Sequence, residues 1–303
     1  EVMFPQYLKP FPASSVISFE DSSKIKQLTE VHHIPRGTAL KSKSIRGVQS
    51  EFSSVQDVRL LPIAIKQLQF KAHPTAHMHL NQNATISLGF EVFNQKHALL
   101  KMEKIPIFLD AISNFPLQVL DSIFQKTTIF SIKAGQQTFD IANPFTLGGF
   151  QEQESILPID QHTHQAYRLL MEYFCCPEKY SFLTLNLDFL QFLNTSQSEF
   201  EVQMHFKLNL NDQAVLRNYT ELNAANFKLF CTPVVNLFKK QAEPQKIDHK
   251  RMEYPLITDA HHPKYYQVYS ILRMNMIREK SSQDQVLHPI LPFFAISHYH
   301  QEQ

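Results

Sequence analysis

Over residues 200–210 hydrophobic and polar positions alternate with a period of two. Phe200, Val202, Met204, Phe206, Leu208 and Leu210 fall on one side, and Glu201, Gln203, His205, Lys207 and Asn209 on the other. A strand with one face in a core and the other in water has this pattern, and it belongs to an antiparallel sheet. The same alternation sets Ile86, Leu88, Phe90 and Val92 against Thr85, Ser87, Gly89 and Glu91, and Leu183, Leu185, Leu187 and Phe189 against Phe182, Thr184, Asn186 and Asp188. Residues 127–132 predict another strand. Two stretches keep a helical period instead. Asn114 can cap a helix with Pro116 in its first turn and an apolar stripe of Pro116, Leu117, Leu120, Ile123 and Phe124. A second helix from about Thr163, ended by Pro177, carries Tyr167, Leu170, Met171 and Phe174 at i, i+3, i+4 and i+7, a stripe expected to face a core.

The first third reads as sheet: strands at residues 16–19 and 52–61, the latter closed by Pro62, and a turn at residues 34–38 before another strand. Lys104–Leu109 is a strand candidate that Pro106 assigns to a sheet edge, because proline has no N–H for a ladder. Residues 134–158 read as a long turn-rich stretch pinned by Phe145, Phe150 and Leu157. Phe227, Leu229 and Cys231 alternate with Lys228, Phe230 and Thr232 up to Pro233, and Tyr266, Val268 and Ser270 suggest a last strand. The fold class is therefore α+β and β-dominated, with antiparallel, sandwich-like sheets and a few helices. Three units are expected: residues 1–65, β-rich, opening like the tail of a helix cut short; 66–240, a sandwich with two inserted helices; and 241–303, an extended segment entering a further domain. The apolar run at residues 291–294, close to the last residue, calls for a core to enter.

Composition narrows the chemistry. Six glycines, with only Gly148 and Gly149 adjacent and no lysine following, exclude a P-loop or dinucleotide fingerprint. Lys and Arg (29) nearly balance Asp and Glu (28), so no bulk field favours nucleic acid or an anionic membrane, and Lys239, Lys240, Lys246, Lys250 and Arg251 read as a solvated rim. Three cysteines, Cys175, Cys176 and Cys231, are not a secreted disulfide framework and suit a reducing compartment. Cys175 and Cys176 sit at a helix C-terminus, where the dipole disfavours a thiolate, so they read as small buried hydrophobes. No apolar run reaches the roughly 20 residues of a membrane helix.

Fifteen histidines raise the question of metal or acid–base chemistry. His73, His77 and His79 lie close together, and His77 and His79 would share a strand face, but no nearby cysteine or carboxylate completes a set. The adjacent pairs His32–His33 and His261–His262 would point apart in extended chain. There is no Gly-x-Ser-x-Gly elbow, and Glu172, Glu178, Asp188 and Glu199 have no separation that sequence alone defines. No catalytic residue, cofactor or metal is expected. Two other readings stay open on the residues: a histidine-using metalloenzyme on a β-sandwich, and a free-standing carbohydrate- or peptide-binding sandwich.

One ordered set of motifs runs through the chain. It begins with Phe4-Pro5-Gln6-Tyr7-Leu8-Lys9-Pro10-Phe11-Pro12 and continues at residues 52–62. In the middle come Tyr167-Arg168-Leu169-Leu170-Met171-Glu172-Tyr173-Phe174 and Pro177-Glu178-Lys179-Tyr180. Then follow Cys231-Thr232-Pro233-Val234-Val235-Asn236, Glu243-Pro244, Asp248-His249, Glu253-Tyr254 and Tyr266-Gln267-Val268-Tyr269-Ser270. This series closely resembles the TssF (VasA, ImpG) family of type VI secretion baseplate subunits. Members of that family are about twice as long, and often have Ala and Phe where Cys175 and Cys176 stand. The resemblance implies a structural role without catalysis, in a phage-like baseplate assembled in the cytoplasm at the inner membrane complex. It implies TssG, TssK, TssE and the VgrG spike as partners, with a second copy of the chain, and neither nucleic acid nor membrane insertion. It also implies a structural role for Tyr167, Arg168, Glu172, Tyr173, Phe174, Pro177, Glu178, Cys231, Thr232, Pro233, Asn236, Glu243, Pro244, Asp248, Glu253 and Tyr254.

Overall fold

The computed structural model describes residues 9–291 except 46, 48, 74–81, 96–99, 101–102, 111–114, 159–163, 194–196, 210 and 282–283. Two antiparallel sheets face each other across the main core. The first has five strands in the order Gln137–Ile141, Thr127–Ala134, Glu199–Phe206, Ala84–Val92, Ile63–Ala72. The alternation over residues 200–206 holds: Phe200, Val202 and Met204 stand opposite Phe90, Leu88 and Ile86, and all are buried. The second sheet runs Phe145–Leu147, Phe182–Asn186, Lys104–Leu109, Phe227–Leu229. It sends Ile105, Ile107, Leu183 and Leu185 into the same apolar cluster, and the rings of Phe130 and Phe145 meet across the interface at 6.2 Å. The chain is thus strand-rich α+β, as the pattern predicts.

Several elements depart from the period, each for a physical reason. Ile63–Ala72 escapes an alternation reading because its register with Ala84–Val92 slips between Ile65 and Gln67, moving the apolar phase from odd positions (63, 65) to even ones (68, 70). Residues 134–158 are not one loop, since Gln137–Ile141 hairpins onto Thr127–Ala134 across Gly135 (φ +60°). In the first helical segment (Phe115–Asp121, continued by a wide turn at Ser122–Lys126), Pro116, Val119, Leu120 and Ile123 are buried and Leu117 is exposed. Helix Gln213–Thr220 carries a cap signal at Asp212, whose carboxylate accepts from the Val215 N–H, and its Tyr219 ring stacks on Phe70 at 5.3 Å. Residues 266–270 form no strand. The last regular element among the described residues is instead the hairpin of Met274–Ser281 with Asp284–Ile290. The expected cap Asn114, the helix start at Thr163, His77, His79, residues 1–8 and the apolar run from residue 292 lie outside the described residues.

Lys104–Leu109 is not an edge strand; it lies between Phe182–Asn186 and Phe227–Leu229. Proline is tolerated there because the neighbouring strand ends before reaching it. Asp110 N donates to Asn226 O (2.8 Å), so the N–H groups of residues 110 and 108 face that neighbour, and Pro106, next in the series, would meet Phe230. Phe230 has turned away. Its φ is +55°, its carbonyl accepts the Phe19 N–H at 3.0 Å, and the chain leaves the sheet.

After that kink Cys231–Val235 joins a third sheet, in the order Ser14–Ser18, Cys231–Val235, Glu51–Ser54, Ala39–Lys41. Cys231 and Val16 pack on Phe108 and Phe182, the outward side of the second sheet, which is therefore covered on both faces. Phe227, Leu229 and Cys231 consequently do not share one strand face, because a left-handed residue lies between them.

Candidate interaction site

Helix Gln165–Cys175 buries the side that the apolar period assigns to water. Arg168 and Glu172 are buried, as is Cys176 one turn on, whereas Leu170 is 58 % and Phe174 78 % exposed and Tyr167 and Tyr173 also stand in solvent. The stripe Tyr167, Leu170, Phe174 is therefore not core; only Met171 of that set packs inward, against Ile156, Leu157 and Cys176. Pairing of nearly all its polar atoms is the reason the charged side can be inside; Arg168 Nε alone among the clamp's side-chain atoms is buried without a hydrogen-bond partner. The Glu172 carboxylate accepts from Arg168 Nη1 (3.2 Å), Lys179 Nζ, Ile156 N (2.8 Å) and Ser155 Oγ (3.2 Å), with Glu172 and Lys179 both 0 % exposed. A buried carboxylate is tolerated when paired and bonded in this way. Burial lowers the Lys179 pKa below the ordinary lysine value.

This clamp holds the loop that precedes the helix. Arg168 Nη2 donates to Phe150 O (3.2 Å), and from the third sheet's side Arg36 Nη2 donates to Ser155 O (2.8 Å) and Nη1 to Gln153 O. Gly148 and Gly149 let the loop lie on the turn at Pro177–Ser181. A Cβ on Gly149, which has φ +91°, would sit 2.6 Å from Lys179 O. The result is a half-open groove of about 430 Å³ between the first helical segment, the loop and helix Gln165–Cys175. Leu117, Phe124, Leu147, Phe150, Leu170 and Tyr173 line it. Its floor is aromatic, with Phe150 and Tyr173 at 5.1 and 5.8 Å from Tyr180, whose hydroxyl donates to Leu169 O. Burial pushes the Tyr180 pKa up to about 12.

The residues singled out by their motifs fall in three places. Arg168 and Glu172 belong to the clamp and Tyr173 lines the groove, while Tyr167 and Phe174 stand exposed on the same helix and Pro177 and Glu178 on the turn that follows it. Cys231, Thr232 and Pro233 are buried in the third sheet, where Thr232 Oγ1 accepts from Gln56 N (3.2 Å) and Asn236 Nδ2 donates to Glu51 O (2.6 Å). Glu243, Pro244, Asp248, Glu253 and Tyr254 lie on a long irregular excursion, with Glu243 N bonded to Ile257 O (2.7 Å) and the Tyr254 hydroxyl donating to Asp248 Oδ1 (2.8 Å). Sequence reasoning missed Arg36, Ser155 and Ile156 as parts of the clamp. Contacts spanning well over a hundred residues, such as Arg36 to Ser155, leave no local signal.

The candidate reactive groups do not converge among the described residues. Among the described residues no group of three His, Cys, Asp or Glu is placed to hold a metal ion. His205 sits on the polar side of the first sheet between Thr85 Oγ1 (2.9 Å) and Ser131 Oγ (3.0 Å), its pKa lowered by burial. Cys176 and Cys231 are buried, but Cys175 is exposed, contrary to the reading of both vicinal cysteines as buried; all three are free thiols. Burial pushes Cys231 up to about 11. No helix among the described residues is long and apolar enough to cross a membrane.

Fold and site together define a multi-sheet α+β protein whose chemical distinction is an apolar surface held open by a buried charge clamp, not a cluster of reactive groups. The model of the family described as "Type VI secretion system, TssF" matches residues 1–303, and the chain belongs to that family. A curated relative, "Type VI secretion system component TssF1" of Pseudomonas aeruginosa, is 22% identical over 98% of this chain and 48% of its own length. A solved chain from a TssK-TssF-TssG baseplate subcomplex superposes with a TM-score of 0.75 at 20% identity, covering 89% of this chain and 49% of that one. The chain thus spans about half the length of the relatives it matches.

Proposed function

We propose that this chain is a structural, non-catalytic part of a type VI secretion baseplate, assembled in the cytoplasm and held by the counterparts of TssG and TssK. TssE, the VgrG spike and a second copy of the chain are further contacts on the same reading. Support comes from membership of the TssF family and from the likeness to a chain of a TssK-TssF-TssG subcomplex. The observation that carries it is the outward Leu170, Tyr173 and Phe174 beside the groove. A contiguous apolar surface of this kind marks a contact with another protein. We assign the TssG counterpart to it.

Co-expression with the TssG and TssK counterparts tests the reading. The wild-type chain forms a defined complex, and Leu170→Asp with Phe174→Asp releases the TssG counterpart while thermal unfolding stays unchanged. A monodisperse wild-type monomer binding neither partner overturns the proposal and favours a free-standing binding module; a complex of two copies lacking the TssG counterpart overturns the assignment of the groove.

A further inference from the structure

Residues 236–273 contain one short 3-10 turn, Pro263–Tyr265, and otherwise no regular structure, yet they are pinned along their length. At the base, Lys240 Nζ lies 3.0 Å from Asp259 Oδ2 and 3.7 Å from the centre of the Tyr266 ring, and Asp259 Oδ1 accepts the N–H groups of His261 and His262 at 3.0 Å each. Higher up the two limbs run side by side, joined by Glu243 N to Ile257 O and Gln245 Nε2 to Pro255 O. The tip is closed by Tyr254 Oη, which donates to Asp248 Oδ1 and accepts from Asp248 N (3.2 Å); Asp248 Oδ1 also takes the Lys250 N–H (3.1 Å). His249, between them, is held at φ +56°. A long structureless segment ordered to this degree, with a strained non-glycine residue at its end, is the mark of a functional loop.

The closed tip presents particular chemistry. Met252 is fully exposed, Ile247 and Leu256 are exposed beside it, and Lys246, Lys250 and Arg251 form no ion pair among the described residues. Asp248, two residues from Lys246 and from Lys250, is already engaged by Tyr254 and the Lys250 amide, and Glu253, two residues from Arg251, forms no ion pair with it among the described residues. We infer that this finger is a second docking element, its Met252 entering an apolar socket rimmed by carboxylates on a neighbouring protein subunit. Methionine suits a socket of irregular shape. The free cations supply complementarity to an acidic rim and speed encounter. Because the loop is already ordered, little chain entropy is lost on docking. The finger shares no residue with the groove lining.

This inference rests on the baseplate reading, and one set of measurements separates the two. The full chain, as wild type, as Met252→Asp and as Lys250→Glu with Arg251→Glu, is titrated against the purified TssG and TssK counterparts at low and moderate salt. A photo-reactive amino acid at position 252 maps the contact. Met252→Asp weakens one of the two complexes by about tenfold or more, the charge reversal weakens it and flattens its salt dependence, and the cross-link falls on a segment rich in Asp and Glu. Melting curves stay unchanged, since the tip is exposed. Wild-type complexes that form with equal affinity for every variant overturn the finger alone. Failure of the wild type to bind either partner overturns the assembly reading and the finger with it. Binding of wild type, but not variants, to phosphatidylcholine–phosphatidylserine vesicles overturns a protein socket in favour of a lipid surface.

Discussion

Glu172 Oε1 accepts the backbone N–H of Ile156 at 2.8 Å, tying the buried side of one helix to the loop that shapes the groove. With Arg168 Nη1 and Lys179 Nζ on its other oxygen, this carboxylate is the centre on which the region's charged groups are paired.

Glu172→Gln should therefore destabilise strongly, because it leaves two buried cations without their counter-charge. A loss of about 3–5 kcal/mol is expected, whereas Glu178→Gln, on the exposed neighbouring turn, should change stability by less than about 0.5 kcal/mol. Urea unfolding midpoints check the order.

Phe174→Ala gives the opposite contrast with what its period suggests. A core phenylalanine would cost about 3–5 kcal/mol; at 78 % exposure the expected change is within about 0.5 kcal/mol. A large shift in midpoint would return this side chain to the core.

Gly149→Ala must meet both a left-handed backbone and the carbonyl of Lys179, while Gly37→Ala, at φ +80° with nothing within 4 Å, meets the backbone penalty alone. The second should cost about 1–2 kcal/mol, and the first clearly more. Thermal melts of the two variants separate strain from collision.

Cys231 makes stability depend on alkaline pH. Its ordinary value of 9.0 applies in the unfolded chain, and burial pushes the folded value up to about 11. Between these the unfolded state releases a proton that the folded state keeps, so this contribution is fully present below pH 9 and is lost as pH rises through the folded value. One proton corresponds to a slope of at most about 1.4 kcal/mol per pH unit. Cys231→Ala should flatten the decline relative to wild type, and equal slopes in denaturant titrations from pH 8 to 11 would refute it.

What sequence by itself determined is what local periodicity and steric rules reach. The strands through Phe90 and Phe200 follow from alternation, the antiparallel β-rich class follows from them, and the motif series around Glu172 and Thr232 names the family. Tertiary structure decided the rest. Pro106 is interior because Phe230 swings its strand away before their backbones would pair, a fact set by a residue 124 positions later. Helix Gln165–Cys175 faces its charges inward because the N–H of Ile156, the hydroxyl of Ser155 and the ammonium of Lys179 meet one carboxylate there. Apolar spacing reports which residues share a helix side, but which side is buried depends on the partners that arrive. Here satisfied charge outweighed the burial of Leu170 and Phe174 and left them on the surface.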